Sequence, residues 1–542
     1  MVFNMHRLLT VLSGLCFFIS TASAQSLSRP KLVVGIVVDQ MRWDYLYRFY
    51  DRYSPDGFKR MINQGFSCEN TFIPYTPTYT AAGHSSVYTG SVPAINGILG
   101  NFWYRRDLKR NWYCTEDTTA VSVGSTSAAG KMSPRNLLVT TITDELRLAT
   151  NFQSKSIGVS LKDRGSILPA GHAGDAYWFD NATGGWITSN YYKNELPAWV
   201  KTINDKKLPD QYLNQNWNTL YPISTYKQST ADDKPYESHI GGEDNTFPHL
   251  TSAISVNKYE SFRQTPGGNS FTVDMARAAV DGEKLGQRGV TDFLAVSFSS
   301  PDYIGHAFGP NSIEVEDTYL RLDKDLAGFF KYLDAKVGKG QYLVFLTADH
   351  AVAHVPGFLN ENKIPGGVFD DAAIRKWINE GAEKKFGVKN AIEQVINYQL
   401  YLNYPVLDES KTNIGEFKAW AINELQHHPA ISSVFDLHEV NQATIPSKIR
   451  DMAINGFNQK WSGDIQFVFN PGWFDGGTKG TTHGSWNPYD SHIPLLWYGW
   501  KVKPGKTNRE TYMTDIAPTV AAMLRIQMPS GCIGHAIEEV TK

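Results

Sequence analysis

Six side chains that could bind metal ions stand after short apolar segments or in a glycine-rich loop of this 542-residue sequence. Short segments of β-branched and aromatic residues are typical of buried parallel strands, and open α/β sheets bind ligands at the carboxyl ends of such strands. Carboxylates and imidazoles together suit zinc or a similar first-row ion, and a two-metal site clamps the attacking and leaving oxygens of an in-line displacement. The six residues, enough for two ions, are Asp39, Asp302, His306, Asp349, His350 and His483.

A two-metal site of this kind needs a nucleophile, and the segment Tyr75–Gly90 contains several hydroxyl groups. Pro77 favours an extended approach to Thr80, and the small residues that follow Thr80 allow a helix to begin close to another backbone. A hydroxyl at a helix N-terminus lies at the positive end of the helix dipole. Residue type alone favours an ordinary N-cap role for Thr80, and three other hydroxyls compete with it: Thr76, Thr78 and Ser85.

The elements that must position these side chains alternate between strands and helices. This pattern predicts an α/β fold with a central, mostly parallel sheet flanked by helices. Two segments depart from the pattern, at residues 167–290 and 358–463 approximately, and we expect them to be insertions over the active-site edge. Because the candidate ligands lie on both sides of each insertion, residues 25–542 are predicted to form one interrupted domain.

The N-terminus predicts export of the protein. The basic pair His6-Arg7, the apolar stretch Leu8–Ile19 and the motif Ala22–Ala24 together describe a cleaved signal peptide over residues 1–24. The apolar stretch is shorter than the roughly 20 residues of a spanning helix, so no stable membrane anchor is expected. A net charge of −2 gives no indication of a nucleic-acid partner. We therefore expect a periplasmic or secreted protein of undetermined oligomeric state.

Three cysteines remain after the predicted signal peptide. An odd number in an oxidising compartment allows one disulfide and one free thiol. Cys68–Cys114 is the preferred pair because both flank the proposed site region, and the alternative is three isolated thiols packed as small apolar groups. The third cysteine is Cys532.

Taken together, the motifs resemble those of the alkaline phosphatase superfamily, and most closely the PafA-type secreted bacterial alkaline phosphatases. The resemblance extends over essentially the whole mature chain. Each motif alone is weak, but their combination is specific. The motifs are Val38–Arg42, Thr78–His84, Gly97–Asn101, Lys162–Gly165, Asp302–His306, Ala348–His350 and Gly480–Gly484.

The resemblance implies a phosphate monoester hydrolase with two zinc ions. One zinc would bind Asp302, His306 and His483. The other would bind the Thr80 oxygen together with the remaining ligands, which are Asp39, Asp349 and His350. Thr80 would be the nucleophile that forms a phosphothreonine. Three further histidines match no ligand position and are interpreted as structural: His84, His172 and His354.

Asn101, Lys162 and Arg164 are the residues that would set the substrate class. A monoester dianion carries more non-bridging negative charge than a diester, and a lysine and an arginine fork supply charge-assisted donors to it. In an extended segment the i, i+2 spacing of Lys162 and Arg164 would put both side chains on one side. Without the family resemblance, a solvated turn would be the more common interpretation of this pair.

Two other functions are open. A phosphodiesterase or nucleotide pyrophosphatase of the same superfamily would share the metal ligands and the threonine but not the lysine–arginine pair. A non-catalytic exported binding protein, for glycans given the 13% aromatic content, would have no need for six metal-type ligands beside a hydroxyl.

Overall fold

The structure is a computed structural model that describes residues 28–241 and 245–542. The predicted signal peptide therefore lies outside the described residues. A ten-stranded sheet forms the centre of the molecule, with strand order β10-β2-β9-β8-β1-β7-β4-β5-β6-β3. In chain order its strands are β1 (Leu32–Val38), β2 (Phe66–Cys68), β3 (Ser122–Val123), β4 (Ser156–Ser160), β5 (Asp175–Asp180), β6 (Gly185–Ser189), β7 (Asp292–Phe298), β8 (Tyr342–Thr347), β9 (Leu495–Gly499) and β10 (Gly505–Thr507).

The five strands in the middle of this sheet, β8-β1-β7-β4-β5, are all parallel. The β1, β7 and β8 segments are mostly apolar and completely buried, as expected for parallel strands covered on both faces; the polar exceptions are Asp292, Ser297 and Thr347. Val38 pairs with Phe298, and Val37 pairs with Thr347. Because this register brings the carboxyl ends of three strands to one edge, the polar residues after each strand meet there.

Helices cover both faces of the sheet and confirm the predicted α/β architecture. On one face the helix that begins at Thr80 packs against the helices Asp163–Ala170 and Ile516–Leu524. On the other face Gly267–Glu283 packs against Ile313–Leu333, an amphipathic helix that buries its apolar side. The helices associated with the large sheet are Tyr45–Arg48, Phe58–Gln64, Thr80–Thr89, Pro93–Asn96, Ile142–Ala149, Asp163–Ala170, Ala198–Asp205, Leu208–Leu213, Lys258–Phe262, Gly267–Glu283, Ser300–Phe308, Ile313–Leu333, Pro356–Glu361, Pro488–Ser491, Ile516–Leu524 and Glu538–Thr541.

A smaller antiparallel sheet with its own apolar core lies in the second predicted insertion. Its four strands, in spatial order, are Ile392–Ile396, Gln399–Leu402, Ile465–Phe469 and Ile431–Asp436. The region also contains the helices Asp371–Phe386, Tyr404–Glu409, Ile414–Gln426 and Ser447–Gly456. Short two- and three-stranded ribbons complete the structure, built from Thr71–Phe72, Phe102–Arg105, Arg110–Tyr113, Gly367–Phe369, Trp473–Asp475, His492–Ile493 and Thr511–Tyr512.

Two boundaries of the predicted insertions differ from the structure. Residues 167–290 were expected to lie over the sheet, but β5 and β6 within them pair directly with the large sheet. Conversely, the second insertion was expected to end at about residue 463, but Ile465–Phe469, just beyond that boundary, pairs within the smaller sheet. A buried apolar run predicts a strand but does not identify its partner, since pairing is decided by tertiary contacts.

The preferred disulfide Cys68–Cys114 is not formed, and Cys532 is also free. Cys68 packs in the main core, whereas Cys114 packs in a separate apolar cluster with Trp103. Burial raises the pKa of Cys68 to about 12 and that of Cys114 to about 12, so both thiols are held in the unreactive neutral form. The alternative of isolated apolar thiols is the one that the structure supports.

Candidate active site

The six predicted ligands lie at one edge of the large sheet and form two groups of three. In the first group, Asp302 and His306 stand one turn apart on the helix Ser300–Phe308, with His306 Nε2 3.1 Å from Asp302 Oδ1. His483 joins them from the glycine-rich loop, with Nε2 3.7 Å from the same oxygen. His306 Nδ1 donates to the Thr481 carbonyl oxygen at 2.8 Å, and His483 Nδ1 donates to that of Thr78 at 2.7 Å. These backbone bonds orient both Nε2 atoms toward Asp302.

Glycine is required where the glycine-rich loop crosses the helix that carries the first group. A Cβ at Gly480 would lie 2.1 Å from the His306 carbonyl oxygen, and Gly480 has a positive φ of 73°. The close approach lets the Thr481 amide donate to that same oxygen at 2.9 Å. The loop can therefore lie near enough to place His483 beside Asp302.

The second group comprises Asp39, which directly follows β1, and the Asp349-His350 pair, which follows β8. Their ligand atoms converge, with His350 Nε2 3.4 Å from Asp39 Oδ1 and 3.6 Å from Asp349 Oδ2. His350 Nδ1 donates to the Ala351 carbonyl oxygen at 3.0 Å, which leaves Nε2 directed at the two carboxylates. The two groups are adjacent, since the His350 and His483 rings stack at a centroid distance of 3.4 Å.

The charges of these groups fit divalent cations. Burial and the neighbouring carboxylates raise the pKa of Asp39 well above its ordinary value. Burial lowers the pKa of His350, and burial with the nearby His350 and His306 rings lowers the pKa of His483, so both imidazoles are held in the neutral form that binds metals. Asp39 Oδ1 and Asp349 Oδ2 are buried and accept no hydrogen bond of good geometry from the described residues. Unpaired buried carboxylate oxygens are costly unless a cation neutralises them.

Thr80 is the hydroxyl that reaches the ligand groups. It is the first residue of the helix Thr80–Thr89, and Tyr79 holds the N-cap position. Thr80 is therefore not an ordinary capping threonine: its buried Oγ1 lies 3.2 Å from His350 Nε2. The three competing hydroxyls each have a backbone carbonyl acceptor instead, and these are Thr76, Thr78 and Ser85.

Lys162 lies between the two ligand groups. Its buried Nζ donates to Asp39 Oδ2 at 2.7 Å and also to Asp302 Oδ2. Burial acts against the charged amine, but the two carboxylates raise the pKa of Lys162 above its ordinary value. Lys162 is thus a fixed positive charge within the site.

Asn101 and Arg164 complete the predicted set of phosphate-binding residues. The Asn101 Oδ1 atom accepts a hydrogen bond from the Ala81 amide at 3.0 Å, which places the asparagine at the start of the Thr80 helix. Arg164 Nη1 donates to the Tyr113 hydroxyl at 3.0 Å. The predicted extended geometry at Lys162 and Arg164 is wrong, because Lys162 is an N-cap and Arg164 lies in the first helical turn. Both side chains nevertheless line one cleft.

Two clefts open beside these residues. The larger has a volume of about 680 Å³ and is lined by Lys162, Arg164, Tyr303 and Arg263. The smaller, of about 250 Å³, lies on the side of Asn101 against the smaller sheet. Phe102, which is 46% exposed, borders both. The site therefore has room for a group attached to whatever binds at Lys162.

Sequence reasoning missed two residues that support the site. Gln40 Nε2 donates to Asp302 Oδ1 at 2.9 Å while its backbone amide donates to Asp349 Oδ1 at 3.2 Å, so it links the two groups. His84, interpreted as structural, donates from Nδ1 to the Thr80 carbonyl oxygen at 2.9 Å and lies 3.3 Å from Asp349 Oδ2. The position of Gln40 directly after Asp39 was the available signal.

His172 and His354 lie outside both ligand groups. His172 Nδ1 contacts Asp144 Oδ2 at 3.1 Å, and its Nε2 contacts a backbone carbonyl oxygen. His354 Nδ1 contacts Asn311 Oδ1 at 2.6 Å. These partners are consistent with structural roles for both histidines.

Comparison with known proteins places the chain in the superfamily that the sequence motifs resemble. Residues 33–490 match the family described as type I phosphodiesterase / nucleotide pyrophosphatase, so the chain belongs to this family, which is part of the alkaline phosphatase superfamily. Its relatives include alkaline phosphatase PhoV of Synechococcus elongatus, 55% identical over 96% of this chain and 94% of the relative. They also include alkaline phosphatase PafA of Elizabethkingia meningoseptica, 51% identical over 98% of this chain and 97% of the relative.

Solved structures agree with this result. The crystal structure of wild-type alkaline phosphatase PafA superposes with a TM-score of 0.94, covering 95% of this chain and 100% of that chain at 51% identity. A third relative, from Myroides odoratus, is 54% identical over 98% of both chains and is named calcium-transporting ATPase. The predicted resemblance to PafA-type enzymes and the predicted fold are confirmed. Among the described residues, no helix is long and apolar enough to cross a membrane.

Proposed function

We propose that this chain is an exported alkaline phosphatase that hydrolyses phosphate monoesters with two zinc ions and a phosphothreonine intermediate at Thr80. The observation that carries the proposal is the convergence of two buried ligand groups, one hydroxyl and one lysine at a single sheet edge. The names of the PhoV and PafA relatives support the same activity. Export rests on the predicted signal peptide.

The residues divide into two candidate zinc sites. Asp302, His306 and His483 would hold one ion. The Thr80 oxygen would belong to the other, together with Asp39, Asp349 and His350. Zinc supplies Lewis-acid stabilisation of the negative charge that develops on the attacking and leaving oxygens. The second group contains two carboxylates and the first contains one, and these negative charges partly neutralise the charge of each ion.

The remaining residues position and transfer the phosphoryl group. Thr80 Oγ1 forms a bond to phosphorus as the bond from phosphorus to the alcohol oxygen breaks. The hydroxyl proton passes to solvent, and the departing alcohol oxygen takes up a proton from solvent. Water then cleaves the phosphothreonine, which releases inorganic phosphate and restores the Thr80 hydroxyl. The helix dipole at Thr80 favours the negative charge of the bound phosphate. His84 fixes the backbone at Thr80 through its bond to the carbonyl oxygen.

Lys162, Arg164 and Asn101 support a monoester in preference to a diester. The two cationic side chains line the larger cleft, at the start of a helix that packs against the Thr80 helix, and there they can donate charge-assisted hydrogen bonds to non-bridging oxygens. The Asn101 amide nitrogen adds a donor near the helix start. In the related PafA, a solved variant carries substitutions of one threonine, one asparagine, one lysine and one arginine, the four residue types proposed for this site.

The second candidate is phosphodiester or nucleotide pyrophosphate hydrolysis, which the name of the matched family suggests. The two candidates differ in the use of Lys162 and Arg164, since a diester has less non-bridging charge to bind. The name of the Myroides relative adds ATP as a further substrate to assay.

The test compares kcat/KM for phenyl phosphate, bis(p-nitrophenyl) phosphate and ATP. We expect Thr80→Ala to abolish phenyl phosphate turnover while metal content stays at about two ions per chain, and Thr80→Ser to retain part of the activity. Lys162→Ala combined with Arg164→Ala should reduce monoester kcat/KM far more than diester kcat/KM. Equal losses on both substrates would count against the monoesterase function, and unchanged turnover in Thr80→Ala would refute the assignment of Thr80 as the nucleophile.

A further inference from the structure

The larger cleft contains two arginines that lack a strong carboxylate partner. Arg164 forms no ion pair with any residue that the structure describes, and Arg263 has one contact of 3.5 Å, from Nη2 to the exposed Glu260. The Nε atoms of both arginines are buried and donate no hydrogen bond within the described part of the chain. Both residues are partly buried, and removing a guanidinium from water without a counter-charge is costly, so these groups indicate an anion in the cleft.

Tyr303 links Arg263 to the proposed phosphate site. Arg263 Nη1 donates to the Tyr303 hydroxyl at 2.6 Å, and its Cζ lies 4.5 Å from the centre of the tyrosine ring. Lys162 Nζ lies 4.8 Å from the centre of the same ring. Arg263 and Lys162 therefore both contact the Tyr303 ring, and this shared contact keeps the two positive charges near each other in the cleft.

The carboxylates around this cleft already have partners. Asp163 accepts hydrogen bonds from the hydroxyls of Tyr113 and Thr115. Glu116 is paired with Arg110, and Asp180 accepts from two hydroxyls. The lining of the cleft contains four cationic side chains, including Lys131, against these three carboxylates, and this balance favours an anionic ligand over a cationic one.

We propose that Arg263 is a specificity-determining residue that binds a second phosphate on the alcohol portion of the substrate. The inference rests on the proposed monoesterase function: Lys162 and Arg164 hold the phosphate that is transferred, and Arg263 holds another one carried by the same molecule. The planar guanidinium suits this role because it can donate two parallel hydrogen bonds to one phosphate. The preferred substrates of the enzyme are then bisphosphorylated alcohols rather than phosphate esters of neutral alcohols.

The experiment uses the enzyme purified with its metals and two matched substrates, propyl phosphate and propane-1,3-diol bisphosphate. We expect the wild type to favour the bisphosphate in kcat/KM by roughly ten-fold or more, the range for charge-assisted hydrogen bonds. Arg263→Gln should remove most of that preference while propyl phosphate kcat/KM changes less than about two-fold. Arg509→Gln, which removes an exposed arginine paired with Glu539, is the matched control and should leave both values unchanged.

A structural role for Arg263 would give a different result. If Arg263 only supports Tyr303 and Lys162, Arg263→Gln will reduce turnover of both substrates equally, and that outcome overturns the proposal. A wild type without preference for the bisphosphate also overturns it while leaving the monoesterase function intact. A wild type that hydrolyses neither substrate overturns both.

A second variant covers the case in which Arg263→Gln does not fold. Tyr303→Phe keeps the ring but removes the hydroxyl that orients Arg263. We expect it to lower the bisphosphate preference at least three-fold with little change in propyl phosphate kcat/KM, as for loss of one hydrogen bond of about 1 kcal/mol. An unchanged preference in a folded Tyr303→Phe enzyme would contradict the proposal.

Discussion

Gly83→Ala is expected to damage the candidate active site through a single methyl group. Gly83 lies one turn after Thr80 on the same helix, and a Cβ at this position would be 2.3 Å from the backbone oxygen of Asp349 and 2.6 Å from its Cβ. Ordinary contacts of a Cβ begin at 3.4 Å, so the helix and the Asp349 segment must separate by about 1 Å. The same movement separates the Thr80 hydroxyl from the second ligand group.

The effect on activity should exceed the effect on stability. Overpacking of this kind costs about 1–3 kcal/mol, and the higher helix propensity of alanine offsets up to about 1 kcal/mol of it. The net loss should lower Tm by only a few degrees in a chain of this length. A misplacement of about 1 Å between reacting groups, by contrast, can reduce the rate by about 100-fold.

The assay is kcat/KM for phenyl phosphate together with Tm and bound metal. Gly328→Ala is the matched control, because it is also a helical glycine but a Cβ there meets only the end of the Arg277 side chain, at 3.0 Å. It should keep wild-type activity. If Gly83→Ala also retains activity within two-fold of the wild type, the close approach of the Thr80 helix to Asp349 does not position the nucleophile, and the reasoning is refuted.

Three further results are expected. Tyr113→Phe removes the hydroxyl that accepts from Arg164, so KM for phenyl phosphate should rise several-fold with a smaller change in kcat; a wild-type KM would show that Tyr113 does not position the arginine. Removal of divalent metal with EDTA should lower Tm as well as activity, because the buried carboxylates lose their counter-charge, and added zinc should restore both; an unchanged Tm would argue against metal at these groups. Thiol titration of protein expressed from residue 25 and unfolded without reductant should give three free thiols, which are Cys68, Cys114 and Cys532. A disulfide would leave only one.

Much of the central fold was predictable because the pattern is local. The β1, β7 and β8 segments are short and mostly apolar, a pattern typical of strands that are buried on both faces of a sheet. The apolar spacing from Tyr319 to Leu333 likewise indicates an amphipathic helix, and the structure has one over Ile313–Leu333. Pairing was less predictable. β5 lies in a segment that was expected to be an insertion, and Ile465–Phe469 has a strand pattern that does not show which sheet it joins, because that depends on contacts with residues far away in sequence.

In the candidate site, too, some features follow from the sequence and others depend on the tertiary structure. The sequence by itself determined the donor chemistry, since the carboxylates and imidazoles follow strands whose ends must meet at one edge. Only the tertiary structure decided that Thr80 reaches His350 and that Lys162 lies between Asp39 and Asp302. It also decided that Arg263 lines the same cleft as Lys162. The physical reason is that residue type and local period fix what a side chain can bind. The choice among several candidate hydroxyls and cations depends on distances set by register, helix packing and the absence of a Cβ at Gly83 and Gly480.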